Sequence, residues 1–305
     1  MSYHKREYLS PSTLTSFSRC PRRYFYQKFG LGPFEESPAL SYGTAMHKAI
    51  PPASRGDFDE AWKAFDSVWD EALANDTRNV ENAHRSLRHY CHEHTGDKSL
   101  FNFLPPPKGN IEVVEEVSDS EVPFAIDIGL DIPLVGRIDG LVEHRDTKRP
   151  WGYEFKTTGR LGANFFDSFE MNVQVLTYAL VLSTLTSEHI EGVMVEAMLC
   201  AKNKVENLIH PVYIQDHHIK DIVIWLRHTG EMLLAMEARY LDEGIDFLKD
   251  FTGCTAYTNF YIPSWRCEFA DLCRVPKWEY AKSMYAERPE HKFFTAITTG
   301  ETNAS

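Results

Sequence analysis

Between Val135 and Thr158 the chain reads VGRIDGLVEHRDTKRPWGYEFKTT. Apolar residues flank two acidic positions, Asp139 and Glu154, which have fourteen residues between them. A charged, proline-containing turn from Glu143 to Pro150 divides the stretch. This is the pattern of two adjacent strands joined by a hairpin. Side chains alternate across a strand, so Glu154 and Lys156 share one face while Phe155 points into the core behind them. With Asp139 opposite on the neighbouring strand, two carboxylates and an ammonium converge on a small volume. Carboxylates so placed are hard oxygen ligands for Mg2+ or Mn2+. An isolated D…ExK is a weak signal, because charged residues are common at strand ends, and the rest of the chain has to decide what this one means.

Upstream, Ser10-Pro11 has the form of a helix start, with Ser10 as N-cap and Pro11 at the first helical position. Cys20-Pro21 then interrupts the segment and predicts a kink or a second start. Arg19, Arg22 and Arg23 alternate here with Phe17, Tyr24, Tyr26 and Phe29. That mixture suits either a phosphate-gripping, base-stacking surface or an ordinary amphipathic helix with long basic side chains along its flank. Residues 41–50 predict a short helix carrying His47, and residues 57–95 predict two helices. The HYCHEH run (His89 to His94) lies in the second of these; with no further ligands at zinc-like spacing, it reads as a helix face rather than a metal site. Strands are expected over 111–117 and 124–130, then the hairpin. A helix over 166–185 places Gln174 and Tyr178 four residues apart on one face. A buried strand follows at HIEGVMVEAMLCA, with a partner near 208–214, and a long amphipathic helix over 216–242. No repeat and no long linker appears. The chain is read as one α/β domain over 1–284, with a helical part at 10–97, a core at 111–215, a long helix and cysteine segment at 216–284, and a flexible tail at 285–305.

Charge is unevenly spread. The net charge is −12 over 305 residues, which argues against a protein that coats polyanions. Residues 1–28, however, hold six basic side chains and one acidic one, leaving −17 for the remainder. No apolar run approaches the roughly 18 residues of a membrane span, and the N-terminus lacks the apolar core of a signal peptide. Six cysteines in a chain of this length do not make a disulfide scaffold. The expectation is a cytoplasmic protein of a prokaryotic cell or virus-infected host, with no membrane partner. Cys254, Cys267 and Cys273 have twelve and five residues between them, and Cys20 lies near the other end of the chain. Three late thiolates and one early one can hold a [4Fe–4S] cluster or a zinc ion, whereas Cys91 and Cys200 stand in apolar contexts.

Six segments in fixed order now match a known family: SPSTLTSFSRCPRRYFY, GTAMHKAI, GRIDG, EFKTT, QVLTY and the cysteine segment. In these residues, spanning 10–273, the chain resembles the RecB-like branch of the PD-(D/E)XK nuclease superfamily. It is most similar to members with an iron–sulfur cluster, such as the CRISPR-associated exonucleases and the AddB C-terminal nuclease domain. The resemblance implies a restriction-endonuclease-like core, with a mixed central sheet flanked by helices, a helical N-terminal elaboration and a cysteine-clamped C-terminal segment. It implies that His47, Asp139, Glu154 and the Phe155 carbonyl hold Mg2+ or Mn2+, an imidazole ligand favouring Mn2+. Lys156 becomes the catalytic lysine, and Gln174 and Tyr178 a pair beside the site that helps hold DNA, with Arg19, Arg22, Arg23 and Tyr24 as further DNA contacts. Cys20, Cys254, Cys267 and Cys273 become cluster ligands, with zinc as the substitute. Many relatives end in C-x2-C-x5-C; here Ser264 stands three before Cys267, so Cys254 is taken as the second ligand. The activity implied is a metal-dependent single-strand DNA exonuclease, acting on a free end, with recombination, replication or CRISPR proteins as partners. A non-catalytic, cluster-containing DNA-binding or scaffolding subunit is the competing reading, and an intact His, Asp, Glu and Lys set argues against it.

Overall fold

The computed structural model describes residues 6–32, 37–95, 99–107, 111–113, 120–161, 163–244, 246–249, 267–277, 279, 283–287 and 294–297. In chain order, helices α1 (Pro11–Arg19) and α2 (Pro21–Lys28) lead to strand β1 (Leu31–Gly32) and helices α3 (Pro38–Ser54), α4 (Phe58–Asp66) and α5 (Val80–His94). Strands β2 (Phe101–Phe103), β3 (Ile111–Val113), β4 (Val122–Ile126), β5 (Leu134–Ile138), β6 (Gly140–His144) and β7 (Pro150–Thr158) follow. Helices α6 (Ala163–Asp167) and α7 (Val173–Thr186) connect to β8 (Gly192–Leu199) and β9 (Asn207–Tyr213). The described residues end with α8 (Asp216–Glu243), α9 (Ala270–Arg274), β10 (Ala286–Glu287) and β11 (Phe294–Ile297). No helix among them is long and apolar enough to cross a membrane.

The chain forms two compact units. The first comprises residues Met1–Glu35, Ile126–Val135 and Asp221–Phe293, and the second Glu36–Ala125, Gly136–Lys220 and Phe294–Ser305. In the first unit the Ser10 side chain caps α1 by accepting from the Thr13 amide at 3.2 Å, with Pro11 at the opening position. Cys20 is extended, which ends α1 and lets Pro21 open α2. The aromatic face of α2 is buried: Phe25 stacks against Tyr240 and Phe247, each at 4.9 Å between ring centroids.

The second unit is built on a five-stranded sheet in the order β2-β6-β7-β8-β9. Its β7–β8 pair is parallel and the other neighbours are antiparallel, so the sheet is mixed. A parallel pair needs a crossover, and α6 and α7 supply it. The expected helix over 166–185 is thus two helices, divided by a turn at which Asn172 caps α7 by accepting from the Gln174 amide at 2.9 Å. One face of the sheet packs on α3, α4 and α5: Tyr153 and Phe155 meet Tyr42, Met46, Leu87 and Tyr90 in one apolar cluster. The other face lies against α7, where a Cβ on Gly152 would stand 3.1 Å from Leu182. With both faces covered, every residue of β8 is buried, and it reads as a nearly continuous apolar run. The segment 285–305, expected as a tail, contributes two strands: β10 pairs with β1, and β11 with β3.

Candidate active site

The antiparallel register of β6 and β7 pairs Gly140 with Tyr153. Asp139 and Glu154 each lie one residue beyond that pair, so the hairpin brings the carboxylates together. Asp139 Oδ2 accepts from the Phe155 amide at 2.9 Å, which fixes the carboxylate against the middle of β7. His47, reaching in from α3, places Nδ1 3.4 Å from the same oxygen and packs edge-on against Phe155. On the opposite side of β7 from Phe155, Glu154 is fully buried and its Oε1 pairs with Lys156 Nζ. Lys156 also reaches Gln174 Oε1 at 3.4 Å. Gln174 Nε2 donates to Tyr178 Oη at 2.7 Å and stands 3.4 Å from Glu154 Oε2, while Tyr178 Oη donates to the Arg137 carbonyl at 2.9 Å. His47, Asp139, Glu154, Lys156, Gln174 and Tyr178 therefore form one connected network within one unit.

Burial sets the electrostatics. Desolvation pushes Asp139 up to about 6, against the opposing pull of Lys156 and the Phe155 amide. Glu154 is pushed up to about 7, first by desolvation and then by the charge of Asp139. Desolvation lowers His47. For Lys156 burial pulls downward, but Glu154 and Asp139 outweigh it and the ammonium is raised above its ordinary value. The two carboxylates thus hold the lysine charged, while one lysine does not suffice to keep both of them ionised.

Among the described residues no group of three or more His, Cys, Asp or Glu side chains is spaced to hold a metal ion. Asp139 and Glu154 nonetheless fit a hard divalent cation by donor chemistry: two desolvated carboxylates share one ammonium, and a further positive charge would let both ionise.

The cysteines fall in the other unit. Cys20 is buried between α1 and α2, Cys267 precedes α9 and Cys273 lies within it. Burial first, with Cys20 adding to it, raises both the Cys267 and Cys273 thiols, so the three are close enough to act on one another. Cys254 lies outside the described residues. Of the expected DNA contacts on α1 and α2, Arg19 is exposed. Arg22 is buried and pairs with Asp246 at 2.6 Å, Tyr24 is buried and donates to Glu237 at 2.5 Å, and half-buried Arg23 pairs with Glu268 at 3.2 Å. Their partners are all within the same unit, because the aromatic face of α2 turns inward and carries these side chains with it.

Two features were missed in the sequence. Glu121 pairs with Arg137, two residues before Asp139, at 3.4 Å. On the α5 side, Glu196 Oε2 collects Tyr153 Oη at 2.7 Å, His94 Nε2 at 3.1 Å and Tyr90 Oη at 3.3 Å. His94 stacks on Tyr90 with ring centroids 3.8 Å apart, so the HYCHEH run supplies a buried ion-pair partner. The available signal was a lone glutamate inside the apolar run VMVEAML.

A family model described as the PD-(D/E)XK nuclease superfamily matches residues 8–274, and the chain belongs to that superfamily. No curated protein sequence matches it. Among solved structures it is similar to a provisionally assigned exonuclease from Eubacterium rectale, with 13% identity over 88% of this chain and 93% of that one, at a TM-score of 0.44. It is also similar to SSO0001, with 12% identity over 76% and 79% of the two chains, at 0.33. The family assignment rests on the sequence match alone.

Proposed function

We propose that the chain is a metal-dependent DNA nuclease of the RecB-like branch, hydrolysing phosphodiester bonds from a free single-stranded end. The observation that carries this reading is the pair of buried carboxylates, Asp139 pushed up to about 6 and Glu154 to about 7, sharing Lys156 beside the middle of β7. Asp139, Glu154, the Phe155 carbonyl and His47 would hold Mg2+ or Mn2+. Such an ion supplies Lewis-acid polarisation of the phosphate and a lowered pKa for bound water. Lys156, kept charged by its two carboxylates, orients the attacking water and offsets negative charge developing on the phosphate. Gln174, itself held by the buried Tyr178 hydroxyl, keeps Lys156 in place and stands beside the approach of the strand. Arg19, exposed on α1, is open to the DNA backbone, whereas Arg22 and Tyr24 serve the packing of α2.

The purified protein is expected to degrade linear single strands with Mg2+ or Mn2+ and to spare closed circles, since an exonuclease cannot start on a circle. Asp139→Ala and Lys156→Ala should each remove cleavage, by about a thousandfold for the lysine if it acts as a preorganised cation. Retained activity in both variants would refute the site. The cluster reading, in which Cys20, Cys254, Cys267 and Cys273 hold [4Fe–4S], is supported by the mutual influence of three of those thiols. Protein prepared without oxygen should then be brown; colourless protein with stoichiometric zinc would replace the cluster and leave the nuclease reading intact.

A further inference from the structure

We propose that Arg137 binds the strand at the phosphate neighbouring the one that is cut, with Glu121 holding its guanidinium at the rim of the site. This rests on the nuclease reading above and adds a subsite to it. Arg137 lies in β5 one residue before its end, Asp139 follows in the bend between β5 and β6, and the residue between them, Ile138, is fully buried. Arg137 and Asp139 are both partly exposed on either side of it, which places them on the same, outer side. Two residues of extended chain reach at most about 6.6 Å, within range of the separation of neighbouring phosphates in an extended nucleic-acid strand. A phosphate held over Asp139 thus has its neighbour over Arg137.

The arginine is placed to be used. Its carbonyl accepts from Tyr178 Oη at 2.9 Å, which ties the strand position to the Gln174–Glu154–Lys156 network. Its Nη1 lies 3.4 Å from Glu121 Oε1, and the two side chains keep 20% and 23% of their exposure. Glu121 also acts electrostatically on both His47 and Asp139, so the pair stands beside the candidate metal ligands. At 3.4 Å the contact is longer than a close charge-assisted hydrogen bond. A guanidinium offers a planar fork that matches a phosphate better than a single carboxylate oxygen at this distance, and it can take the phosphate while Glu121 keeps it oriented.

The test uses the full chain and a fluorescently labelled single-stranded oligonucleotide. Binding is followed in EDTA across a salt series, and cleavage in Mn2+ at varied substrate. Arg137→Ala should lower the magnitude of the slope of log Kd against log salt by about 0.7, the loss of one phosphate contact on a single strand. It should raise KM about tenfold while changing kcat less than threefold. Arg137→Lys should restore the slope, because the charge returns, but leave KM raised, because the fork does not. Slope and KM unchanged in Arg137→Ala, or a fall in kcat at unchanged KM, would overturn the proposal. A wild-type chain that binds the oligonucleotide without cutting any DNA removes the nuclease reading, yet the salt slope of Arg137→Ala still decides this one. A wild-type chain that does not bind overturns both.

Discussion

Replacing Glu154 by Gln should strengthen the metal-free fold while ending cleavage. Glu154 is fully buried, and its carboxyl moves from 4.5 to about 7 on folding. At ~1.4 kcal/mol per pH unit, the folded chain disfavours the ionised carboxylate by about 3 kcal/mol. The sign follows from the raised folded-state value. Below pH 4.5 both states carry the proton and nothing is lost; destabilisation grows as pH rises towards 7 and is complete above it. Gln keeps the shape, carries no charge and can still accept from Lys156, so the variant escapes that loss. Urea unfolding in EDTA should show Glu154→Gln more stable than wild type by up to about 3 kcal/mol at pH 8, with the gap closing near pH 4.5. Mg2+ or Mn2+ should then reverse the order. A ligand at a hundred times its Kd adds about 2.7 kcal/mol to the state that binds it, and only the wild type has both carboxylates to bind it. A Gln variant less stable than wild type at pH 8 in EDTA, or a gap independent of pH, would refute the reasoning.

Other consequences can be checked in the same unfolding assay. Glu196→Ala strands His94, Tyr90 and Tyr153 in the interior and should cost about 3–5 kcal/mol. For His94, burial pulls the imidazole down but Glu196 outweighs it and the net value is raised. Its stabilisation is therefore full below the ordinary value of about 6.5 and fades as pH rises through the folded-state value, a dependence that His94→Gln should remove. Gly192→Ala drives a Cβ to 1.9 Å from the Val212 carbonyl oxygen across the β8–β9 pair, so that variant should fail to accumulate as folded protein. Gly244→Ala meets open space but keeps φ at +67°, and should lose only about 1 kcal/mol.

The parts of the fold legible in the sequence were those set by local pattern. The hairpin, the β8–β9 pair, the long helix α8 and the start of α1 follow from alternation, helical spacing and capping residues, each readable within a dozen positions. The meeting of Asp139 and Glu154 in the candidate site was legible because a sheet converts spacing into proximity: two acidic residues flanking a hairpin must meet once the register is set. The Glu121–Arg137 pair was not legible, because it depends on β4 and β5 lying side by side, and the expected strand over 124–130 runs through the turn at Asp127 and Gly129 that separates them. Arg22 and Tyr24 were misleading for a related reason. A basic and aromatic helix has the same composition whether its arginines face DNA or carboxylates such as Asp246, and the choice is made by a partner more than two hundred residues away.

Glu154 and Glu196 sharpen the distinction between a buried charge that holds a fold and one that serves a site. Both are fully buried, on adjacent strands of one sheet. The parallel register pairs Phe155 with Glu196 and Glu154 with Val195, so the two glutamates look to opposite faces. On the α5 face, Glu196 is answered by an imidazole whose raised value favours the cation, and by two tyrosine hydroxyls. Its Oε2 is matched from within. On the α7 face, Glu154 and Asp139 share a single ammonium, while Glu121 adds further negative potential at Asp139 and desolvation turns His47 towards its neutral form. Negative charge exceeds positive there. A fold that needed only stability would replace one of those carboxylates with an amide, as the Gln variant tests; keeping both leaves a standing attraction for a cation beside the middle of β7. The same physics thus separates a staple from a site, and the unmatched face is the one that bears the candidate metal ligands.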